Sequence, residues 1–412
     1  MLTQNPLPKC RAAAVLGFAL YLPACGPPAG TAPERPGASV AARYTLAAER
    51  LGEVDGASIR DGGYSALAFD DGGALWALTD RGPNLEASAR VGRPAKRFPV
   101  PRYRPVAERL DASAGELRVV ERVAFGSADS TRAASGLPPP SRSPDATVET
   151  GLGADFAPLP HDAEGIDSEG LAFDGRGGVY VSDEYRPSIW RLDAATGRLL
   201  RRYTPTPSGP LDAPLPGYLL ERRPNLGIEG LALGPDGDLF ASLQGPLSPP
   251  GADPATPIVR ILRLDTASGA VRAFAYALEA STRKIGDLAV APDGRLLVLE
   301  HGERSRLGGW SAEVYAVDAE RVDYLDPRAL PPERFRDVTT ALTQGVVVAP
   351  KTLYVDLSAA GWSPRLRKPE GLAVDAEGRV LVVNDNDFGL DSPMGTGAAV
   401  ATGDPTQLVV IE

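Results

Sequence analysis

"DSEGLAFDGRGGVYVSDE" runs from Asp167 to Glu184. A short apolar run, a glycine turn, a second apolar run and a closing pair of acids read as a β-hairpin. The same frame recurs four times: "YSALAFDDGGALWALTD" from Tyr64, "GIEGLALGPDGDLFASLQ" from Gly227, "KIGDLAVAPDGRLLVLEH" from Lys284 and "KPEGLAVDAEGRVLVVND" from Lys368. Three of the copies are accompanied by a second hairpin with its own turn glycine: "ERLDASAGELRVVERVAF" (108–125), "SIWRLDAATGRLLRRY" (188–203) and "RILRLDTASGAVRAF" (260–274). "AEVYAVDAERV" (312–322) is a looser fourth.

Two hairpins per repeat make a four-stranded antiparallel unit, and repeats of this length match propeller blades. The expected fold is therefore all-β, a β-propeller of four-stranded antiparallel blades. A pair of β-sandwiches would leave five similar hairpins unexplained. Five repeats are clear. A sixth is assembled by joining "ARYTLAAERLG" (42–52) to "TQLVVIE" (406–412), which closes the ring, so six blades are expected within a range of five to seven.

Composition agrees. The chain has 412 residues, 43% of them apolar, with 45 Gly and 40 Pro, which favours many short elements and turns. Its net charge is −10 and it has no long basic run, which argues against nucleic acid as a partner.

The N-terminus reads as an address. Lys9 and Arg11 precede the apolar "AAAVLGFALYL", which is short for a membrane span. "LPAC" (Leu22–Cys25) resembles a bacterial lipobox, with Cys25 as the lipidated residue. Residues 1–25 are then a lipoprotein signal, 26–42 a flexible tether and 43–412 the propeller. Cys25 becomes the sole cysteine of the mature chain, which excludes an intrachain disulfide. The expected location is exported and lipid-anchored in the cell envelope, touching the membrane through the anchor only, as a monomer.

The repeat frame carries two acidic marks. At the start of the first strand stand Glu169, Glu229 and Glu370, with Ser65 and Gly286 in the other two copies. After the second strand stand Asp80, Asp183 with Glu184, Gln244, Glu300 with His301, and Asn384 with Asp385, followed by Asp387. An antiparallel hairpin puts these marks side by side, and a propeller axis brings the blades together. The acids should converge at one rim, where like charges need a cation or a shared proton. The turn acids Asp71, Asp236, Asp293 and Glu377 serve backbone geometry instead. Asp287 falls one position after the Glu slot, where strict alternation turns it to the opposite face. Arg81, Arg223, Lys284 and Lys368 recur near the same places and suit phosphate or carboxylate oxygens.

No G-x-S-x-G, H-E-x-x-H or P-loop occurs. "EHGER" (300–304) lacks the first arginine of the acid-phosphatase motif. "DNDFGLD" (385–391) has oxygen-rich spacing that suits Ca2+, although Thr396 at the twelfth position excludes an EF-hand.

The motifs "DSEGLAFDGRGGVYVSDEYRPSIWRLD", "RRPNLGIEGLALGPDGDLFASLQ", "KIGDLAVAPDGRLLVLE" and "KPEGLAVDAEGRVLVVNDNDFG", in this order, resemble the bacterial phytase-like family named for "esterase-like activity of phytase", from about residue 44 to the C-terminus. The resemblance implies an exported β-propeller in which Glu169, Asp183, Glu184, Glu229, Asp287, Glu370, Asn384, Asp385 and Asp387 are family-typical. The chain departs from the pattern at 126–160, a Pro/Ser-rich insertion expected as a surface loop.

The site expectation is a Ca2+-dependent phosphoesterase or esterase acting on a small phosphate ester or other anionic substrate. Glu169, Glu229, Glu370 and Asp183 are the catalytic candidates, with Glu229 as general base. Arg81, Arg223, Lys284 and Lys368 hold the substrate. Asp80, Glu184, Asp287, Glu300, Asn384, Asp385 and Asp387 hold the metal. A metal-dependent lactonase and a non-catalytic envelope binding propeller are the alternatives.

Overall fold

A computed structural model describes residues 34–140, 149–303 and 309–412. Cys25 and the expected signal segment lie outside the described residues. Each repeat opens on a strand buried along most of its length: Tyr64–Phe69, Ser168–Phe173, Ile228–Leu233, Lys284–Val290 and Pro369–Val374. These are the inner strands of five blades, and each pairs antiparallel with the strand that follows it.

Blades 1 to 3 add a second hairpin where the sequence repeats it. Their outer strands are Glu116–Ala124, Leu199–Thr204 and Val271–Ala277. In blade 4 the third strand, Trp310–Val317, meets its outer partner Thr352–Asp356 only after a long excursion that includes the helix Val338–Thr343.

Among the described residues the ring has five blades, not six. The two terminal strands do not form a blade of their own. Gln407–Ile411 pairs with Val380–Asn384, and Val40–Leu46 pairs with Gln407–Ile411, so they become the third and fourth strands of blade 5. Repeat five has no second hairpin in its own sequence, and the two ends of the chain supply it. Val40–Leu46 also makes a short parallel pairing with the outer strand of blade 1, stitching blades 5 and 1 together. Described residues ahead of 43 also contact the propeller. The Glu34 N–H donates to Leu353 O at 2.9 Å, and the Glu34 carboxylate pairs with Arg295 at 2.8 Å.

Neighbouring inner strands approach closely because the Glu-Gly step leaves room. A Cβ on Gly170 would stand 2.3 Å from Glu229 O, and one on Gly230 would stand 2.5 Å from the Leu288 nitrogen. The leucine that follows in each copy, Leu67, Leu171, Leu231, Leu288 and Leu372, is buried and lines an axial channel of about 270 Å³. Burying such a side chain contributes about 1.5–3 kcal/mol, so the leucine ring is a main source of cohesion between blades.

Candidate active site

In every blade the pairing of the first two strands slips near the Glu-Gly step: between Tyr64 and Ala66, Ser168 and Leu171, Ile228 and Leu231, Ile285 and Leu288, and Pro369 and Gly371. A bulge bends the strand and re-aims its side chains. Matched positions of the five repeats then form three rings around the axis. The first is Gly63, Asp167, Gly227, Lys284 and Lys368. The second is Ser65, Glu169, Glu229, Gly286 and Glu370. The third, at the end of the second strand, is Asp80, Glu184, Gln244, His301 and Asp385. All five members of the third ring line one cavity of about 140 Å³, together with Ser65, Glu169, Lys284, Lys368 and Glu370.

Strand alternation decides which member of each sequence pair belongs to the site. Asp183, Glu300 and Asn384 pair within the hairpins, and their side chains serve the fold instead of the cavity. Asp183 accepts from the Asp167 and Tyr185 N–H groups at 3.2 and 3.1 Å and from Ser188 Oγ at 3.0 Å. Glu300 accepts from Tyr276 Oη at 2.6 Å and from Lys351 Nζ at 2.5 Å. Asn384 accepts from the Gln407 N–H at 2.8 Å and donates to Pro405 O.

Asp287 is also away from the cavity. Its carboxylate accepts from the N–H groups of Leu67 at 3.3 Å, Leu288 at 2.8 Å and Leu372 at 2.9 Å, which pins blades 1, 4 and 5 together at the axis. The bulge brings this Gly-slot residue inward, and the leucine N–H groups take its oxygens. Arg223 is not among the cavity-lining residues and reaches Pro254 O at 3.4 Å.

Of the expected basic residues, Arg81 is committed to acids. Its guanidinium stands 2.7 Å from Asp167, 3.1 Å from Glu149 and 3.6 Å from Glu184, donates to Asn225 Oδ1 and lies over the Tyr185 ring. Glu149 comes from the 126–160 insertion, which is therefore more than a surface loop. Residues 150–152 pair with 95–97, and Gly136 packs directly on the Arg81 carbonyl. Lys368 is tied to Asp385 at 2.8 Å and to Asp387. Lys368, Asp387 and Phe388 all have left-handed backbone, with φ of 41°, 50° and 55°, strain of the kind that concentrates at functional sites. Asn386 has φ −101° and caps this turn by accepting from the Phe388 N–H, and it also accepts from the Gly63 N–H. Lys284 differs from the other cations of the cavity. Among the described residues its ammonium has no hydrogen bond or ion pair, although its charge acts on Glu229 and Glu370.

Sequence reasoning gave Asp167 no role, and it put Gln244 and His301 in the strand-end slot without naming them as site residues. Asp167 occupies the slot that carries lysine in blades 4 and 5. Its carboxylate, fully buried, joins those of Glu169 and Glu184, and their oxygens lie within 4.8 Å of one another. Neither Asp167 oxygen accepts a hydrogen bond, and Arg81 meets it as an ion pair only. Gln244 Nε2 donates to Glu229 Oε1 at 2.5 Å, and Glu229 Oε2 and Gln244 Oε1 are left without partners.

The charge pattern is strongly perturbed. Burial, reinforced by neighbouring carboxylates, pushes Asp80, Glu169 and Glu229 well above the carboxylate range, and Asp167 and Glu370 to about 8. Burial also acts upward on Asp387, but Lys368 outweighs it and holds Asp387 low. Excess buried negative charge and unpaired oxygens suit a hard, oxygen-liganded cation, with Asp167, Glu169 and Glu184 as the residues to hold it.

The sequence model of the phytase-like family, "esterase-like activity of phytase", matches residues 59–388. No curated protein matches the sequence significantly. Among solved structures, Myxococcus xanthus glutaminyl cyclase is 12% identical, with 91% of this chain and 97% of that one covered at a TM-score of 0.36. The PQQ-bound aldose sugar dehydrogenase of Streptomyces coelicolor is 14% identical over 89% and 98% of the two chains, with a TM-score of 0.34. A protein of unknown function from Dyadobacter fermentans is 12% identical over 92% and 99%, with a TM-score of 0.38.

Proposed function

The chain belongs to the phytase-like family, and from that premise we propose that it hydrolyses small anionic esters, phosphoric esters foremost, with the help of a divalent cation, Ca2+ by preference. The observation that carries this reading is the polarity of the cavity. Blades 1 and 2 contribute Asp80, Glu169 and Glu184 to its lining, with Asp167 buried against Glu169 and Glu184, whereas the three ring positions of blade 4 are Lys284, Gly286 and His301, with no acid among them.

Asp167, Glu169 and Glu184 hold the cation. When bound, such a cation supplies Lewis-acid polarisation of an ester oxygen. Lys284, with no carboxylate in ion-pair contact among the described residues but close enough to act on Glu229 and Glu370, meets the substrate's negative charge. Glu370 lines the cavity, keeps its proton up to about pH 8 because it is buried beside Asp385, and can pass that proton to the departing oxygen. Glu229, expected as a base, is held protonated behind Gln244 and keeps that side chain in place. A cavity of about 140 Å³ is smaller than the roughly 300–1,000 Å³ that encloses a whole drug-sized ligand, so it takes the reacting group and leaves the rest of the substrate outside.

The test is turnover of a panel of aryl phosphates, phytate, aryl carboxylic esters and lactones, with Ca2+ and after chelation with EGTA. Cation-dependent phosphate release supports the reading. No turnover of any ester under either condition removes it.

One observation favours a second reading, a non-catalytic binding propeller. Arg81 already places a fixed positive charge beside Asp167 and Glu184 and partly does the work of a metal. Absence of Ca2+ binding by calorimetry, together with recovery of an anionic ligand, selects it. For either reading, lipidation at Cys25 would hold the propeller at the envelope, and a Cys25→Ala variant retained in the membrane fraction would count against that placement.

A further inference from the structure

His301 is 1% exposed, and both of its ring nitrogens lack a hydrogen-bond partner. A buried polar group left in that state costs stability unless something else meets it. The ring is a member of the third ring of matched positions and lines the cavity. It is the cross-strand partner of Lys284, whose ammonium makes no hydrogen bond or ion pair among the described residues and acts only at longer range on Glu229 and Glu370. Trp310 stacks on it, with ring centroids 5.5 Å apart and 24° between the planes, which fixes the orientation of the imidazole. Gly286 takes the second-ring slot of this blade, where blades 2, 3 and 5 carry Glu169, Glu229 and Glu370. An imidazole with no hydrogen-bond partner and an ammonium outside any ion pair thus line a cavity from the one blade that lacks a ring carboxylate.

We propose that His301 and Lys284 form an oxyanion subsite for a tetrahedral phosphoryl group, with Lys284 Nζ meeting its charge and a ring N–H of His301 donating to one of its oxygens. This rests on the hydrolase reading above and narrows its substrate class from anionic esters in general to phosphoric esters. Burial, with Lys284, Arg283 and Lys368 around it, pushes the imidazole well below its usual range. The free ring is therefore neutral, with one donor nitrogen and one acceptor. A phosphoryl oxygen is the natural acceptor for that donor, and the adjacent ammonium selects a charged ligand over a neutral ester carbonyl.

The test is titration calorimetry of the full chain with inorganic phosphate, with and without Ca2+. The native protein is expected to bind phosphate. His301→Phe and Lys284→Ala should each weaken binding roughly tenfold or more, the size expected for a lost hydrogen bond or charge contact to an ionised group. His301→Gln keeps a donor and should stay close to native. Should His301→Phe fail to fold, the native protein still decides. The chain has two histidines, so a His161→Gln variant isolates the His301 ring signal in 15N spectra, and phosphate must shift it. Native-like phosphate binding by a folded His301→Phe variant, or an unmoved His301 signal at saturating phosphate, overturns the subsite. Hydrolysis of carboxylic esters without any phosphate binding overturns it too, while leaving the broader hydrolase reading standing.

Discussion

Lys284 and His301 sit opposite each other on the first two strands of blade 4; among the described residues the Lys284 ammonium has no ion pair, and neither His301 ring nitrogen has a hydrogen bond. Every other cation lining the cavity has a carboxylate partner: Arg81 has Asp167, Lys96 has Glu86 and Lys368 has Asp385. Lys284→Ala should therefore raise KM for anionic substrates by roughly tenfold or more with a smaller effect on kcat, as expected for loss of an interaction made equally before and during reaction. Steady-state kinetics at several salt concentrations checks this, and the salt dependence should shrink in the variant. An equal effect on an uncharged ester would count against the assignment.

The cation site should respond to charge removal. Asp167→Asn, Glu169→Gln and Glu184→Gln are each expected to weaken Ca2+ binding by about tenfold or more, since affinity follows the number of charged oxygen ligands. Asp183→Asn makes a matched control one residue away. It should cost about 1–3 kcal/mol of stability through the backbone donors it leaves poorly satisfied, without changing Ca2+ affinity. Calorimetry and urea unfolding separate the two outcomes.

Stability should depend on pH with a defined sign. Asp167 and Glu370 are raised by burial to about 8 in the fold, Asp183 to about 6 and Glu313 to about 7. Their unfolded values lie at about 4, so between about pH 4 and about pH 8 the folded chain holds more protons than the unfolded one. In EGTA the free energy of unfolding should fall as pH rises through that window and level off above it. Ca2+ favours the ionised carboxylates, so its stabilising effect should grow over the same range, with protons released on binding. Urea titrations across this range, with and without Ca2+, read both slopes. Rising stability with pH in EGTA would contradict the assignment.

Asp287 separates the axis from the site. Asp287→Ala strands the Leu67, Leu288 and Leu372 N–H groups, and at about 1–3 kcal/mol for each buried unsatisfied group the loss should be several kcal/mol. Asp287→Asn keeps an acceptor oxygen and should lose less. Neither should alter the Ca2+ affinity of whatever protein folds. A selective loss of Ca2+ binding in Asp287→Asn would return this residue to the metal site.

Much of the fold was legible because each hairpin repeats its own turn chemistry and apolar runs, as "SEGLAF" and "GVYVS" do in blade 2. The blade count was not, because strand swapping between the termini is a tertiary choice. The segment at 406–412 looks equally able to start a sixth blade or finish a fifth. Within the site the acid slots were visible, but which residue of each pair faces the axis depends on parity through a bulge that no residue type announces. Glu300 therefore drew attention that belonged to His301. Asp167 was passed over because its matched positions carry lysine or glycine, so only the assembled ring reveals it as the acid beside Glu169 and Glu184. Arg81 looked like a free anion binder, since the carboxylates that occupy it come from elsewhere in the chain, Glu149 from a poorly patterned insertion among them, whereas Lys368 is occupied by Asp385 and Asp387 of its own hairpin.

The most direct measurement is a crystal structure of the protein soaked with Ca2+ and vanadate, a phosphate analogue. The expected result is a cation bound by Asp167, Glu169 and Glu184, with the tetrahedral or trigonal oxyanion against Lys284 in the same cavity. A cavity that stays free of metal at saturating Ca2+, or an oxyanion bound only elsewhere on the molecule, would contradict the proposal that this site hydrolyses anionic esters with a divalent cation.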